Sequence, residues 1–488
     1  MFSKSYRIGG SAMKSINQVT WFKSLIAVLT LFAVAGCGSQ SSPPSSLSQS
    51  AGAPAGVEAR IFVGNTNGTV SVIEHGVAGN TLVEPIDLFS SVGDMTSSRK
   101  NHIFINLGGT NQVAALDPVG EAATFRKFIP VGQRPVHINR DPEGSRIWVQ
   151  NDSDPATGID TVTAACNTAQ TGSVSVIQNH GTAGHDDEEE EVNAGEVLAT
   201  ICVGKGHHKA AFSTPTATDG SIPLRAFISN IIDGTISVID NDPGTEASPN
   251  SNYLTVIDTI DLCDPAQETG GTCDADLTTP NEAGPHGMVF SNVSGKIYNN
   301  NEDYGTVNII NPATPAIETT LDIGFAGATH VTPDGRFVIV RGFDSSTVTG
   351  KLTVIDVTNP NGAATHDLVN INPGAIEFTS DGTKMYVAGS GSTQRPTQRR
   401  DVVLAYDISA LPTLPAPVEI TVGTTTAGRS IAILEEGGEA THVFATNRTE
   451  GTVSVIDATT DTVVDTVQVG GTPTSLLVFS LEGDLSHE

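Results

Sequence analysis

The chain has 488 residues, with 25 Lys and Arg against 54 Asp and Glu and a formal charge of −29. Its length admits one large repeat domain or about two to three ordinary ones. A surface of this sign repels nucleic acid and anionic lipid, and it excludes a phosphorylated substrate unless a local basic pocket exists; the sequence shows no such cluster.

At the N-terminus Lys4, Arg7, Lys14 and Lys23 precede an apolar run from Leu25 to Gly36, too short to span a bilayer as a mature helix. The run ends in Val34-Ala35-Gly36-Cys37, which resembles the bacterial lipobox. Residues 1–36 therefore read as a lipoprotein signal peptide, and Cys37 as the lipidated N-terminus after cleavage. Met13 begins a more typical signal, so the true start is Met1 or Met13. Residue 38 is Gly, not the Asp that retains enterobacterial-type lipoproteins at the inner membrane, which points to the outer membrane. Residues 38–57 form a Ser/Pro/Gly tether unable to bury a core. Without the signal, 21 of the 25 Lys and Arg remain against 54 Asp and Glu, a net of −33.

From residue 58 one string recurs: N-G-T-V-S-V-I-E ending at Glu74, T-N-Q-V-A-A-L-D at Asp117, G-S-V-S-V-I-Q at Gln178 and D-G-T-I-S-V-I-D at Asp240. It continues with Y-G-T-V-N-I-I-N at Asn311, G-K-L-T-V-I-D at Asp356, D-V-V-L-A-Y-D at Asp407 and G-T-V-S-V-I-D at Asp457. Successive end points lie 43, 61, 62, 71, 45, 51 and 50 residues apart, a basal unit with loop insertions. Periods of this size mean propellers or solenoids. Each unit predicts a short apolar strand such as Arg60–Val63, Arg146–Val149 or Lys384–Val387, then the β-branched string, then a third strand such as Thr462–Gly470. A fourth strand leads to a turn such as Pro333-Asp334-Gly335. Four antiparallel strands per unit make a propeller blade. Only 5% of residues are aromatic while 50 are Gly, as many short strands and tight turns require. The reading is an all-β propeller over residues 58–480 with a polar tail at 481–488. Eight repeats are counted, and seven blades stay open if a terminal repeat supplies only closing strands.

The best repeat, Val443–Val469 followed by Gly470-Gly471-Thr472-Pro473, resembles the YVTN-type β-propeller repeat family. The resemblance covers nearly all of the chain after the tether and implies a propeller fold. It implies no single function, because that family includes surface-layer proteins, binding modules, lactonase-like propellers and cofactor-binding propellers.

Four cysteines remain besides Cys37, and an even number in an exported protein reads as disulfides. Cys263 and Cys273 bracket a Gly-containing loop and are expected to pair, with Cys166 and Cys202 then tying an insertion to its blade; the alternative is a thiolate metal site, against which the absence of Cys-x-x-Cys counts. That insertion also holds the acidic run Asp186–Glu191, which reads as a solvated loop. Asn151-Asp152-Ser153-Asp154 with Asp160 only loosely follows a calcium loop, so Ca stays open. Five histidines sit near one blade position: His137, His207, His208, His286 and His330. The segment after each V-G turn leads to the strand lining the channel, so these imidazoles could converge at one mouth and hold Cu, Zn or Fe. Their register is not identical: His137 lies seven residues before Gly144, and His330 five before Gly335. In general terms the arrangement resembles the haem-binding propeller of cytochrome-type nitrite reductases. No Cys-x-x-Cys-His is present, so no c-type haem is attached, and no Gly-x-Ser-x-Gly, His-Glu-x-x-His or phosphate-binding loop appears.

Anchor, tether, rigid scaffold and missing catalytic motif together read as a cell-envelope binding module rather than an enzyme, with no catalytic residue assigned. Its expected partners are envelope proteins or glycans, it meets the membrane through its lipid anchor alone, and it is expected to be monomeric. Two alternatives stay open: a propeller holding a metal or haem-type cofactor through channel histidines, and a lactonase-like hydrolase.

Overall fold

The computed structural model describes residues 54–481, apart from 99–101, 180–194, 246, 275, 278, 326, 345, 391–398, 400 and 424–429. The signal peptide, Cys37, most of the tether, the run Asp186–Glu191 and the tail after 481 lie outside the described residues. Each β-branched string becomes a strand buried along its length, as in Thr452–Asp457, where only Asp457 is partly exposed. Continuous burial means that both faces of the sheet are covered, which is what face-to-face stacking of blades requires.

Eight four-stranded antiparallel sheets result, with one extra two-stranded hairpin (Gly244–Thr245 and Ser248–Pro249) inserted in the fourth. Eight apolar clusters each join two neighbouring blades, so the core is distributed around a ring. From blade 1 to blade 8 the innermost strands are Pro473–Ser480, Val92–Ser97, Pro135–Arg140, Ala210–Ser213, Pro285–Ser291, Ala328–Val331, Pro373–Phe378 and Ile431–Glu436. The fourth strand of each sequence repeat is thus the first strand of the next blade. The last repeat supplies Pro473–Ser480, which pairs with Val57–Asn65 and completes blade 1. The terminal repeat does supply a closing strand, yet the count stays at eight.

A buried asparagine recurs at the end of the second strand of several blades, and its side-chain amide holds the hydroxyls of the following string. Asn151 Nδ2 donates to Ser173 Oγ and Ser175 Oγ at 3.0 and 3.2 Å, Asn230 to Thr235 and Ser237 at 3.0 Å each, and Asn447 to Thr452 and Ser454 at 2.9 Å each. This contact explains the small residues of G-T-V-S-V. It also explains the V-G turn: a Cβ on Gly204 would come within 2.6 Å of the Asn230 side chain. Both disulfides are present, Cys166–Cys202 tying a short helix (Ala164–Ala169) to the outer strand of blade 3, and Cys263–Cys273 closing a loop after blade 4.

Asn447→Ala leaves two buried hydroxyls without their donor. Urea unfolding is expected to show a loss of about 1–3 kcal/mol with an unchanged m-value.

Candidate metal centre

Four of the innermost strands begin with a register shift, at Val92/Met95, Pro135/His137, Pro285/Met288 and Pro373/Ile376. A bulge re-aims the side chains it contains, and these bulges hold or border Asp94, His137 and His286. His207, His208 and Lys209 come just before the innermost strand of blade 4. Blades 2 to 5 thereby deliver an acid, three imidazoles and an ammonium group to one stretch of the channel wall.

The hydrogen bonds fix the state of each ring. His137 Nδ1 donates to Asp94 Oδ2, and His207 Nδ1 donates to Asp152 Oδ2 at 2.8 Å. A carboxylate only accepts, so each Nδ1 carries a proton, and in the neutral ring Nε2 then keeps its lone pair. The two Nε2 atoms face each other 3.0 Å apart. Two lone pairs at that distance repel, and a proton or a metal ion between them removes the repulsion. Nitrogens on one tetrahedral zinc are about 3.3 Å apart, given Zn–N near 2.05 Å. His286 packs against His207 with ring centroids 5.0 Å apart, and its Nδ1 donates to Gly327 O at 2.7 Å, leaving a third lone pair on Nε2. The third nitrogen reaches ligand spacing only with a movement of that ring, because among the described residues just one other group gathers three ligand atoms within 4.8 Å of one another.

Three carboxylates, Asp94, Asp152 and Glu302, outnumber the one ammonium, Lys209, beside the rings. Lys209 Nζ lies 2.9 Å from His137 Nδ1, beside Asp94, and Glu302 Oε2 lies 3.5 Å from His286 Nδ1. Burial opposes ionisation of Asp94 and Asp152, but the adjoining imidazoles hold both carboxyls below their usual range. Burial, then the Lys209 ammonium, lowers the pKa of His137; burial, then His207, lowers that of His286 to about 4. Neutral imidazole is the form that binds metal.

The other two candidates do not join this group. His208 turns away from the channel: it is fully buried, and its Nδ1 donates to Ser229 O at 2.8 Å. His330 lies deeper along the channel, its Nε2 buried and without a partner, near Arg341. The loosely calcium-like cluster is spent on other bonds: Asp154 accepts from the turn amides of Ala156 and Thr157, and Asp160 from Val162, Thr163 and Ser173. Asp94, Lys209 and Glu302 carried no sequence signal. Asp152 did, as part of that cluster, though its role is to orient His207.

The fold and the site together define an eight-bladed propeller with an oriented histidine pair at its channel. Solved structures share the architecture. Apo AztD from Citrobacter koseri is 12% identical with a TM-score of 0.53, covering 87% of this chain and 98% of its own. A second AztD structure from that organism is 14% identical with a TM-score of 0.52, covering 87% and 98%. The dihydro-haem d1 dehydrogenase NirN in complex with DHE is 11% identical with a TM-score of 0.54, covering 86% of this chain and 75% of its own. No protein-family model matches the chain, and no curated protein matches it by sequence.

Burial sets a pH dependence for the metal-free protein. The unfolded chain protonates its histidines near pH 6.5, whereas the fold lowers His208 to about 4 and His330 to about 3. Between those values the unfolded state binds more protons, so stability is full above about pH 6.5 and falls as the pH drops towards 4. Unfolding titrations should show that slope, and His330→Gln should flatten it.

Proposed function

We propose that this protein is an envelope-anchored propeller that binds a divalent transition-metal ion at the mouth of its channel, through His137 Nε2 and His207 Nε2 with His286 as the third ligand. The observation that carries the proposal is the facing pair of Nε2 atoms, each set by a carboxylate on the opposite ring nitrogen. This is the carboxylate–histidine–metal arrangement, in which the outer partner fixes the tautomer and makes the ligand more basic. A nitrogen-only set suits zinc and copper better than calcium or magnesium. Two or three protein ligands leave a coordination position open to a small anion, and Lys209 is placed to attract one. The lipobox-like sequence ending at Cys37 supports a lipid anchor, and Gly38 in place of Asp supports the outer membrane, where such a site would capture or hand on metal rather than catalyse a reaction.

Zinc titration of the untagged full chain in detergent, followed by calorimetry and metal analysis, tests this. His137→Ala with His207→Ala should remove one equivalent, and His208→Ala should retain it. Asp94→Asn should weaken that site about 10- to 100-fold, as loss of an outer-shell partner does. Unchanged zinc uptake in the His137/His207 double variant would overturn the proposal.

A further inference from the structure

A second gathering of ligand groups lies on the seam where the two ends of the chain meet. Glu58 belongs to the second strand of blade 1 and His75 to the third, while Glu436 ends the innermost strand of blade 8. One ligand atom from each of the three lies within 4.8 Å of the others. His75 is 6% exposed, so this imidazole is built into the seam and is not a surface residue.

The ring orientation is set from behind. His75 Nδ1 donates to Asn80 Oδ1 at 2.8 Å, and Asn80 Nδ2 donates to Asp465 Oδ2 at 2.8 Å, across to the outer strand of blade 8. With Nδ1 bound, Nε2 is the nitrogen left for a ligand, and an outer-shell chain fixes its tautomer. His442 stands edge-on to His75 with ring centroids 4.4 Å apart, and its Nδ1 is buried with no partner. The two carboxylates and the imidazole thus stand at ligand spacing across the seam. The backbone at this point is the end of ring closure: Leu481 N donates to Glu58 O at 2.7 Å.

We infer that Glu58, His75 and Glu436 form a second divalent transition-metal site, which clasps blade 8 to blade 1. One imidazole and two carboxylates are a borderline donor set, suited to Zn²⁺ or Mn²⁺ and poorly suited to Mg²⁺ or Ca²⁺, which take oxygen ligands. Because the ligands come from both sides of the seam, the ion binds the closed ring and not the unfolded chain, and so raises its stability by mass action. The inference is independent of the channel histidines, none of which contributes a ligand.

The test uses the untagged full chain in detergent with Zn²⁺ and Mn²⁺ as probes. In a His137→Ala/His207→Ala background one equivalent of Zn²⁺ should remain bound, and Zn²⁺ should still raise the Tm by several degrees. Adding Glu58→Gln and Glu436→Gln, which keep shape and leave buried groups in place, should abolish both effects while the circular dichroism spectrum stays that of the parent. Zn²⁺ uptake or a Tm rise that survives Glu58→Gln/Glu436→Gln would overturn the seam site, as would a background variant that takes up no metal. In the otherwise wild-type chain, Glu58→Gln/Glu436→Gln should lower the stoichiometry by one and leave the channel equivalent in place.

Discussion

A propeller is held together by the pairing that turns a row of blades into a ring. Here that pairing runs from Ala59 opposite Ser480 to Asn65 opposite Pro473, joining residues from the two ends of the described chain into one sheet. An open row of blades would leave two exposed sheet edges and two uncovered apolar faces, each prone to association. Closure covers them with the cluster that includes Ile61, Ile73, Phe444 and Val455. It also fixes the rotation of every blade about a common axis, and only then do residues from blades 2, 3, 4 and 5 meet in the channel. The meeting of channel residues from several blades therefore depends on closure by a strand far from all of them in sequence.

The channel residues are then set by small irregularities in regular strands. Bulges at the starts of the innermost strands of blades 2, 3 and 5 turn Asp94, His137 and His286 inward. The acids do two things at once. They hold the imidazole protons on Nδ1, and they offset the nearby ammonium of Lys209, so that a cation is not simply repelled. Asp94 shows how the channel differs from an ordinary core. Its side chain is half open to water, yet the protein that encircles it opposes its ionisation until the neighbouring imidazole and ammonium reverse the balance.

Much of this was legible in the sequence. The recurring string gives strand type, blade count and all-β class, because β-branched runs between Gly and Asn turns have few other solutions. Both cysteine pairs followed from an even count and from a bracketed loop. The histidines at the V-G turns were legible as channel residues as a set, but not individually. His207 and His208 are adjacent, so one faces the channel and the other the interface between blades 3 and 4; strand alternation without the register cannot say which. His330 shares the neighbourhood but sits two residues out of step, as its spacing to Gly335 foretold. The carboxylates that orient the rings were invisible because an acidic chain offers candidates everywhere. The seam cluster joins positions near opposite ends of the domain, which no local pattern connects. Cys37 and the acidic run Asp186–Glu191 lie outside the described residues and remain sequence readings.

The most direct test of the account is where a bound metal sits. Anomalous diffraction at the zinc edge, from crystals of the chain grown with Zn²⁺, should place a peak between His137 Nε2 and His207 Nε2, with both Nδ1 atoms still bonded to Asp94 and Asp152. A map in which zinc is absent from that position, with the two nitrogens still in hydrogen-bond contact, would show that a proton rather than a metal bridges them, and would contradict the account.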